Sequence, residues 1–130
     1  MDTSVAAPPL TLPQQIVARL KSQDIRLTAS LPDQWLKDLI EACEADPALR
    51  HVRLAREDEG VGLCAGAWLG GVRAALICQN SALLLAANVL AAMAHHHQVP
   101  FVVLAAQRGS FDDHQYYQMY KGRVTEPVLH

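Results

Sequence analysis

The sequence predicts an α/β domain built on a doubly wound, mostly parallel sheet with helices on both faces. Short apolar runs alternate with segments of helical periodicity along the whole chain, in the order αβαβαβαβα. Hydrophobic residues make up 51% of the 130 residues but aromatic residues only 5%, so an aliphatic core of packed layers is expected. This length fits a single domain.

The first helix is predicted by a capping-box pattern, in which Gln14 stands three residues after Thr11, and it ends near Ser22. The run from Ile25 to Ser30 is then predicted to be a short strand. Apolar residues recur at helical spacing from Trp35 to Ala45 and predict a second helix, which the proline that follows closes.

The second strand is predicted from His51 to Ala55 and leads into three consecutive acids, Glu57 to Glu59, which favour the N-terminus of a helix. The third helix runs through the small residues of 60–70 and is predicted to end at Gly70-Gly71. Small side chains let a helix backbone approach another element closely. We therefore expect this helix to lie in a subunit interface.

The third strand, Arg73 to Cys78, is apolar almost throughout and is predicted to be buried on both faces. Asn80 or Ser81 is expected to cap the long helix that follows and that runs through His96. The fourth strand, Val99 to Ala106, is also predicted to be buried.

The last part of the chain is predicted to be a loop from Gln107 to Lys121 and a short helix from Thr125 to His130. Ligands of doubly wound sheets bind outside the carboxyl ends of the strands. We therefore expect the chemistry in the loops at that edge, which are 30–33, 56–59, 79–81 and 107–114.

Composition and charge exclude several classes of function. Eleven Lys and Arg against 13 Asp and Glu give a net charge of −2 without a block of like charge, so no nucleic-acid and no membrane partner is expected. The longest apolar run, 82–94, is too short to cross a bilayer, and the N-terminus lacks the basic region of a signal peptide. Cys43, Cys64 and Cys78 have no metal-binding spacing and predict reduced interior thiols in a cytoplasmic protein.

Four segments in the same order carry a resemblance to a known family. They are SLPDQWLKDLIE (30–41), AREDEGVGLCAGAWLGG (55–71), ALICQNS (75–81) and GRVTEPVL (122–129). Together they resemble the alpha subunit of sulfopyruvate decarboxylase and the matching region of phosphonopyruvate decarboxylase, which are thiamine-diphosphate enzymes. The resemblance implies that residues 13–130 form one pyrimidine-binding (PYR) domain, preceded by a flexible arm of residues 1–12.

The resemblance also implies a partner. In the family a diphosphate-binding domain with a GDG motif holds Mg²⁺ and the cofactor diphosphate, and the sequence here contains no GDG. The chain is therefore expected to act only in a hetero-oligomer with a beta subunit, as a decarboxylase of a small 2-keto acid. A non-catalytic or regulatory subunit and a subunit of a carboligase remain as alternatives.

Glu57 is the catalytic residue that the resemblance implies. In the superfamily a glutamate stands nine residues before a glycine of the small-residue helix, and counting back from Gly66 gives Glu57. Its carboxyl group would hydrogen-bond the pyrimidine N1′ and favour the tautomer that takes the proton from thiazolium C2. Glu59 is the alternative in register, and an ordinary acid in a first helical turn is the alternative in role.

The turn Gln79-Asn80-Ser81 matches a cofactor-binding turn of the family, although helix capping by Asn80 or Ser81 is compatible with that role. Asp33 matches the Pro-Asp of the first loop, which lies near the reacting carbon in relatives, and it equally suits the N-terminus of a helix. The apolar residues after Ser81 depart from the family pattern and predict a tighter or more apolar pocket.

The loop 107–121 diverges most from the family. Asp113, His114 and Gln115 match it only loosely. His114 and Gln115 are predicted to contact substrate, with His114 as a proton relay, and an exposed loop histidine without a function is the alternative for His114. Three other residues could bind an anionic group of the substrate, but the sequence favours solvated surface charges for them. They are Arg108, Lys121 and Arg123. The three histidines 95–97 suit a helix C-terminus rather than a metal site, and no metal is expected in this chain. Trp35 and Trp68 are assigned to the core or an interface.

Overall fold

The fold is described by a computed structural model that covers residues 8–130. Four strands form one sheet in the order β2-β1-β3-β4, with every neighbouring pair parallel. The elements are α1 (Leu12–Ser22), β1 (Ile25–Ser30), α2 (Lys37–Ala45), β2 (Arg50–Arg53), α3 (Glu57–Leu69), β3 (Arg73–Gln79), α4 (Asn80–Val89), β4 (Val102–Ala106) and α5 (Met119–Leu129). This architecture confirms the predicted fold class. Of the predicted arm, residues 1–7 lie outside the described residues.

Helices cover both faces of the sheet. Leu76 and Cys78 of β3 pack in one cluster with α3 and α4, whereas Ile77, between them, packs with α1 and α2. This split follows from the alternation of side chains along a strand. Strand β3 is consequently buried on both sides, as predicted, and Leu76 and Ile77 are almost fully enclosed.

The order of the strands places a switch point between β1 and β3. These two strands are neighbours, but the chain leaves β1 toward α2 on one face and leaves β3 toward α4 on the other. Two loops that diverge from adjacent parallel strands leave a crevice at the carboxyl edge, which is where ligands of such sheets bind.

The ends of α1 and α3 follow the predicted local signals. Gln14 Oε1 accepts the N–H of Thr11 at 2.9 Å and closes the start of α1. After the C-terminal end of α3, Gly71 adopts a φ of +82°, a backbone conformation that would be strained for a residue with a side chain. The predicted close approach is found at Gly60, where an added Cβ would lie 2.6 Å from Leu76 Cδ1, but Gly66 faces open space.

Several predictions about the second half of the chain are wrong. Strand β4 begins at Val102 and lies at the edge of the sheet, so Val102 and Ala105 are exposed rather than buried. Apolar content alone does not reveal which strand has a neighbour on one side only. The α-helical part of α4 ends at Val89 and continues as a π-helical turn through His95.

Two further corrections concern helix starts. Helix α5 begins at Met119 rather than at Thr125, because it continues from a 3₁₀ turn at 116–118 and packs against α4. Neither Asn80 nor Ser81 caps α4. The N-cap position is Gln79, and Asn80 is already the first helical residue.

Candidate functional site

Asp33 and Gln79 meet across the switch point. Gln79 Nε2 donates a hydrogen bond of 2.8 Å to Asp33 Oδ2. The other oxygen, Asp33 Oδ1, accepts the backbone N–H groups of Trp35 at 2.8 Å and Leu36 at 3.2 Å, which shape the turn into α2. Asp33 therefore holds its own loop with one oxygen and the end of β3 with the other.

Ser81 joins the same chain of hydrogen bonds. Its hydroxyl donates to Gln79 Oε1 at 2.6 Å, so both ends of the Gln79 amide are oriented. Three of the predicted site residues, Asp33, Gln79 and Ser81, are thus brought together at the carboxyl edge. All three are only partly buried and remain within reach of a ligand.

The three acids at the start of α3 have different partners. Glu59 Oε2 accepts the backbone N–H groups of Ala55 at 3.1 Å and Arg56 at 3.0 Å, and Asp58 forms an ion pair with Arg56 at 3.0 Å. The carboxylate of Glu57 is half-buried and has no hydrogen-bond partner among residues 8–130. Of the three, Glu57 has its carboxylate free for a ligand.

Glu57 stands at the same edge of the sheet as Asp33. It begins α3 shortly after the end of β2, and Asp33 follows the end of β1, the strand beside β2. Because the strands are parallel, these two strand ends lie at the carboxyl edge of the sheet. Burial, together with the negative charges of Glu57 and Asp33, raises the pKa of the Cys78 thiol near the end of β3 to about 12.

Asn80 is buried and its side chain forms three hydrogen bonds inside the chain. Its Nδ2 donates to the Arg108 carbonyl and to Thr125 Oγ1, both at 3.0 Å, and its Oδ1 accepts the Arg108 N–H at 3.2 Å. The side chain thus ties the start of α4 to the loop after β4 and to α5. Donation from Nδ2 to a cofactor would require breaking one of these bonds, because both of its N–H groups are used.

Arg108 is not the solvated surface charge that the sequence favours. Its side chain is 8% exposed and forms two hydrogen bonds with the carboxylate of Asp113, at 2.8 and 3.1 Å. The guanidinium also lies 4.2 Å from the ring centroid of Trp35, which is half-exposed rather than part of the core. Hydrogen bonds from Arg108 and from the backbone hold the pKa of Asp113 far below its usual range.

His114 and Gln115 are exposed on the loop after β4. The backbone N–H of Gln115 donates to Asp113 Oδ1 at 2.9 Å, and its side-chain oxygen accepts the hydroxyl of Tyr117. Within the described chain no hydrogen bond joins either residue to Asp33, Gln79 or Ser81. The structure therefore places them at the correct edge of the sheet but not in the same group.

A cavity of about 380 Å³ opens beside Asp33, between α2 and the ends of β1 and β2. Ser30 lies at its wall, and its hydroxyl is 2.9 Å from Nε2 of His51, whose Nδ1 is 2.8 Å from Thr28 Oγ1. Burial lowers the pKa of His51 and favours the neutral ring. No local pattern predicts this contact, because 21 residues separate Ser30 from His51.

Residues 8–130 contain no group of three or more His, Cys, Asp and Glu side chains placed to hold a metal ion. The consecutive histidines lie exposed at the end of the π-helical turn, where the rings of His96 and His97 meet edge to face. No helix within 8–130 is long and apolar enough to cross a membrane.

Fold and site together define a doubly wound α/β domain with a polar site at the switch point, flanked by a free glutamate. Comparison with curated proteins places this domain more closely. The chain is 34% identical over 116 residues to the sulfopyruvate decarboxylase subunit alpha of Methanothermobacter thermautotrophicus. The aligned region covers 89% of this chain and 70% of that protein. No family model matches the chain.

Two further relatives agree with this match. The chain is 30% identical over 105 residues to the sulfopyruvate decarboxylase subunit alpha of Methanococcus maripaludis, and it spans 63% of that protein. It is 35% identical over 117 residues to the phosphonopyruvate decarboxylase of Streptomyces viridochromogenes, and it spans 29% of that protein. The chain therefore belongs to the family of sulfopyruvate decarboxylase alpha subunits and the matching part of phosphonopyruvate decarboxylases.

Proposed function

We propose that the chain is the pyrimidine-binding subunit of a thiamine-diphosphate-dependent 2-keto acid decarboxylase, with Glu57 as its catalytic residue. One observation carries the proposal. Glu57 is half-buried at the carboxyl edge of the sheet and has no hydrogen-bond partner within residues 8–130, whereas Asp58 and Glu59 both have partners. A free carboxyl group in this position is what a ring nitrogen of the cofactor needs.

The other residues at the edge fit the cofactor as well. Gln79 and Ser81 present an oriented amide and hydroxyl at the same edge of the sheet as Glu57, and we assign both to cofactor binding. Asn80 shares the predicted turn, but its three internal hydrogen bonds suit the task of fixing the turn in place. We therefore assign Asn80 to positioning.

Thiamine diphosphate, when bound, supplies a carbon nucleophile and an electron sink for loss of CO₂. Glu57 would hold a proton between its carboxyl group and the pyrimidine nitrogen, which is general acid–base work. Asp33 would place a fixed carboxylate at the crevice near the substrate, because both of its oxygens are already held by the chain. His114 and Gln115 remain proposed substrate contacts from the loop after β4.

A partner subunit is part of the proposal. The relatives are named as alpha subunits, which implies another subunit, and we propose a beta subunit whose diphosphate-binding domain holds the diphosphate and Mg²⁺. Large exposed aromatic residues near the site support an interface in this region. They are Phe111, Tyr116, Tyr117 and Tyr120.

We also propose that the assembly works in the cytoplasm. Cys43, Cys64 and Cys78 are all free thiols buried in the core. Unpaired interior cysteines are typical of proteins in a reducing compartment.

The proposal is tested by co-expressing the chain with a candidate beta subunit that carries a GDG motif and supplying thiamine diphosphate and Mg²⁺. A panel of 2-keto acids, including sulfopyruvate, phosphonopyruvate and pyruvate, is then assayed for CO₂ release and for aldehyde or carboligation products. We expect CO₂ release by the complex, no turnover by the chain alone, and loss of turnover in Glu57→Gln. Turnover by the pure chain, or equal turnover by the Glu57→Gln complex, would contradict the assignment.

A further inference from the structure

Five residues form a closed ring of contacts around the mouth of the crevice. The guanidinium of Arg108 lies 4.2 Å from the centroid of the Trp35 ring, and the backbone N–H of Trp35 donates to Asp33 Oδ1 at 2.8 Å. Asp33 accepts from Gln79 at 2.8 Å, and Gln79 is followed by Asn80, which bonds the backbone of Arg108 at 3.0 and 3.2 Å. We call these five residues the contact ring.

The contact ring joins three loops that come from different strands. Trp35 and Asp33 follow β1, Gln79 and Asn80 end β3 and begin α4, and Arg108 follows β4. Within residues 8–130, the Arg108–Trp35 contact is what joins the first of these loops directly to the last. Without it the side chains of the loop after β1 would be tied to the start of α4 by the bond between Asp33 and Gln79, beside the backbone bond from Leu31 to Ile77 at 3.3 Å.

The side chain of Arg108 is fixed for this task. Its ion pair with Asp113 orients the plane of the guanidinium, and the side chains of Arg108 and Asp113 are 8% and 1% exposed. A planar guanidinium stacks on an aromatic face better than a lysine ammonium does. Because the Asp113 carboxylate already neutralises the charge of Arg108, the guanidinium is poorly suited to bind a substrate anion. A role in holding other residues in place fits Arg108 better.

We propose that Arg108 is a positioning residue of the candidate site, which through Trp35 fixes where Asp33 and Gln79 stand. The inference rests on the proposed function for its catalytic consequence. Its structural part, the coupling of the loop after β4 to the loop after β1, can be measured without turnover.

The first experiment measures amide hydrogen exchange in the wild-type chain and in the Arg108→Met variant. Arg73→Met, at the opposite end of β3 from the candidate site, is the matched control. The backbone N–H of Leu36 bonds Asp33, so it reports on the far side of the ring. We expect its exchange to rise about tenfold in Arg108→Met and to stay unchanged in the control. Loosening of 107–118 with unchanged exchange at Leu36 would overturn the coupling.

The second experiment keeps the ion pair between Arg108 and Asp113 and removes the aromatic side chain of Trp35. Trp35→Leu leaves Arg108 bonded to Asp113, so it guards against a variant that simply unfolds, and Trp68→Leu is its control on another exposed tryptophan. In the assembled complex we expect kcat to fall about tenfold with KM within about twofold, because misplaced groups slow the reaction more than they weaken binding. Arg108→Lys keeps a cation over Trp35, so its kcat should lie between that of Arg108→Met and that of the wild type.

The double variant Arg108→Met/Trp35→Leu separates coupling from two independent effects. Residues that act through one contact are not additive, so kcat should be no lower than in the worse single variant. Multiplied effects, or wild-type kcat in Trp35→Leu, would overturn the proposal. If the wild-type complex released no CO₂ from any keto acid, the proposed function would fail, while exchange at Leu36 would still decide the role of Arg108.

Discussion

Asp33 and Gln79 are 46 residues apart in sequence and are joined by a hydrogen bond of 2.8 Å at the switch point of the sheet. The bond connects the two loops that diverge to opposite faces, so it spans the crevice in which a ligand of this fold binds. Ser81 extends it, and Glu57 lies at the same edge of the sheet, where α3 begins after β2. The predictions below start from these contacts.

Replacing Asp33 should destabilise the fold. Asp33→Ala removes the acceptor for the N–H groups of Trp35 and Leu36 and the partner of Gln79. A hydrogen bond of this kind contributes about 0.5–1.5 kcal/mol, so with three bonds lost from a partly exposed turn we expect about 1–2 kcal/mol less free energy of unfolding. Urea unfolding of the variant measures this.

The matched control for Asp33 is Gln34→Ala on the same turn. Gln34 is exposed, and we expect its replacement to change the free energy of unfolding by less than about 0.5 kcal/mol. Equal stability of the two variants would show that the bonds of Asp33 do not hold the loop.

Asn80 is expected to be among the most sensitive polar positions. Asn80→Leu leaves the N–H and carbonyl of Arg108 and the hydroxyl of Thr125 without this partner in a buried place. Each buried polar group left unsatisfied costs about 1–3 kcal/mol, so we expect a loss of about 3 kcal/mol. Thermal and chemical unfolding give the value.

Asn88 offers a control on the same helix. It is exposed, and Asn88→Leu should leave stability within about 0.5 kcal/mol of wild type. A loss in Asn80→Leu as small as in this control would refute the structural role that we assign to Asn80.

Two glycines of α3 should respond in opposite directions to alanine. A Cβ on Gly60 would lie 2.6 Å from Leu76 Cδ1 and 2.7 Å from Leu54 Cδ1, and Leu76 is buried, so Gly60→Ala should cost about 1–3 kcal/mol through overpacking. Gly66 meets nothing within 4 Å, so Gly66→Ala should stabilise the helix by about 0.5–1 kcal/mol. The denaturant midpoints of both variants, compared with that of the wild type, test these two expectations.

The same position tests the interface predicted for α3. If another subunit packs closely on this face, Gly66→Leu should weaken assembly with the partner while the chain itself stays folded. Analytical ultracentrifugation of the mixed subunits measures the change. Unimpaired assembly would remove α3 from the interface.

Acid stability should carry the contribution of Asp113. Its pKa is lowered, first by the hydrogen bond from Arg108 and then by backbone N–H groups. A carboxylate with a lowered native pKa stabilises the fold fully above the pKa of unfolded aspartate, about 3.9, and the contribution is lost as pH falls below that value. The difference in unfolding free energy between wild type and Asp113→Asn should therefore be constant above about pH 5 and shrink below about pH 4.

Other carboxylates with lowered pKa values, such as Glu44, Asp46 and Asp58, are present in both proteins and cancel in this difference. Urea unfolding of both proteins at a series of pH values measures it. A difference that stays constant down to the acid limit would contradict the ion pair with Arg108.

The parts of the fold that could be predicted depend on local signals. The hydrogen bond between Thr11 and Gln14, the acids at the start of α3 and the glycines at its end act within one helical turn, and the structure has them where the sequence placed them. The apolar run of β3 likewise reports its own burial. Such signals can be recognised in a sequence because the interacting residues are only a few positions apart.

The parts that were missed depend on contacts between distant segments. Arg108 has a counter-ion five residues away, but its burial comes from Trp35 and Asn80, which no spacing rule relates to it. The edge position of β4 likewise depends on the order of strands in space. Within the candidate site, the sequence supplied Asp33, Gln79 and Ser81, whereas the distinction between Glu57 and Glu59 needed their hydrogen-bond partners.

The central claim is that Glu57 is the carboxyl group that serves the cofactor, and hydrogen–deuterium exchange at C2 of thiamine diphosphate in the assembled complex tests it most directly. Glu57→Gln keeps the shape but removes the proton-transferring group, so exchange should slow by about 10²–10⁴-fold with folding unchanged. Glu59→Gln keeps an oxygen that can accept the N–H groups of Ala55 and Arg56, and exchange should stay near wild type. Near wild-type exchange in Glu57→Gln would contradict the account, and a loss in Glu59→Gln alone would move the catalytic role by two residues.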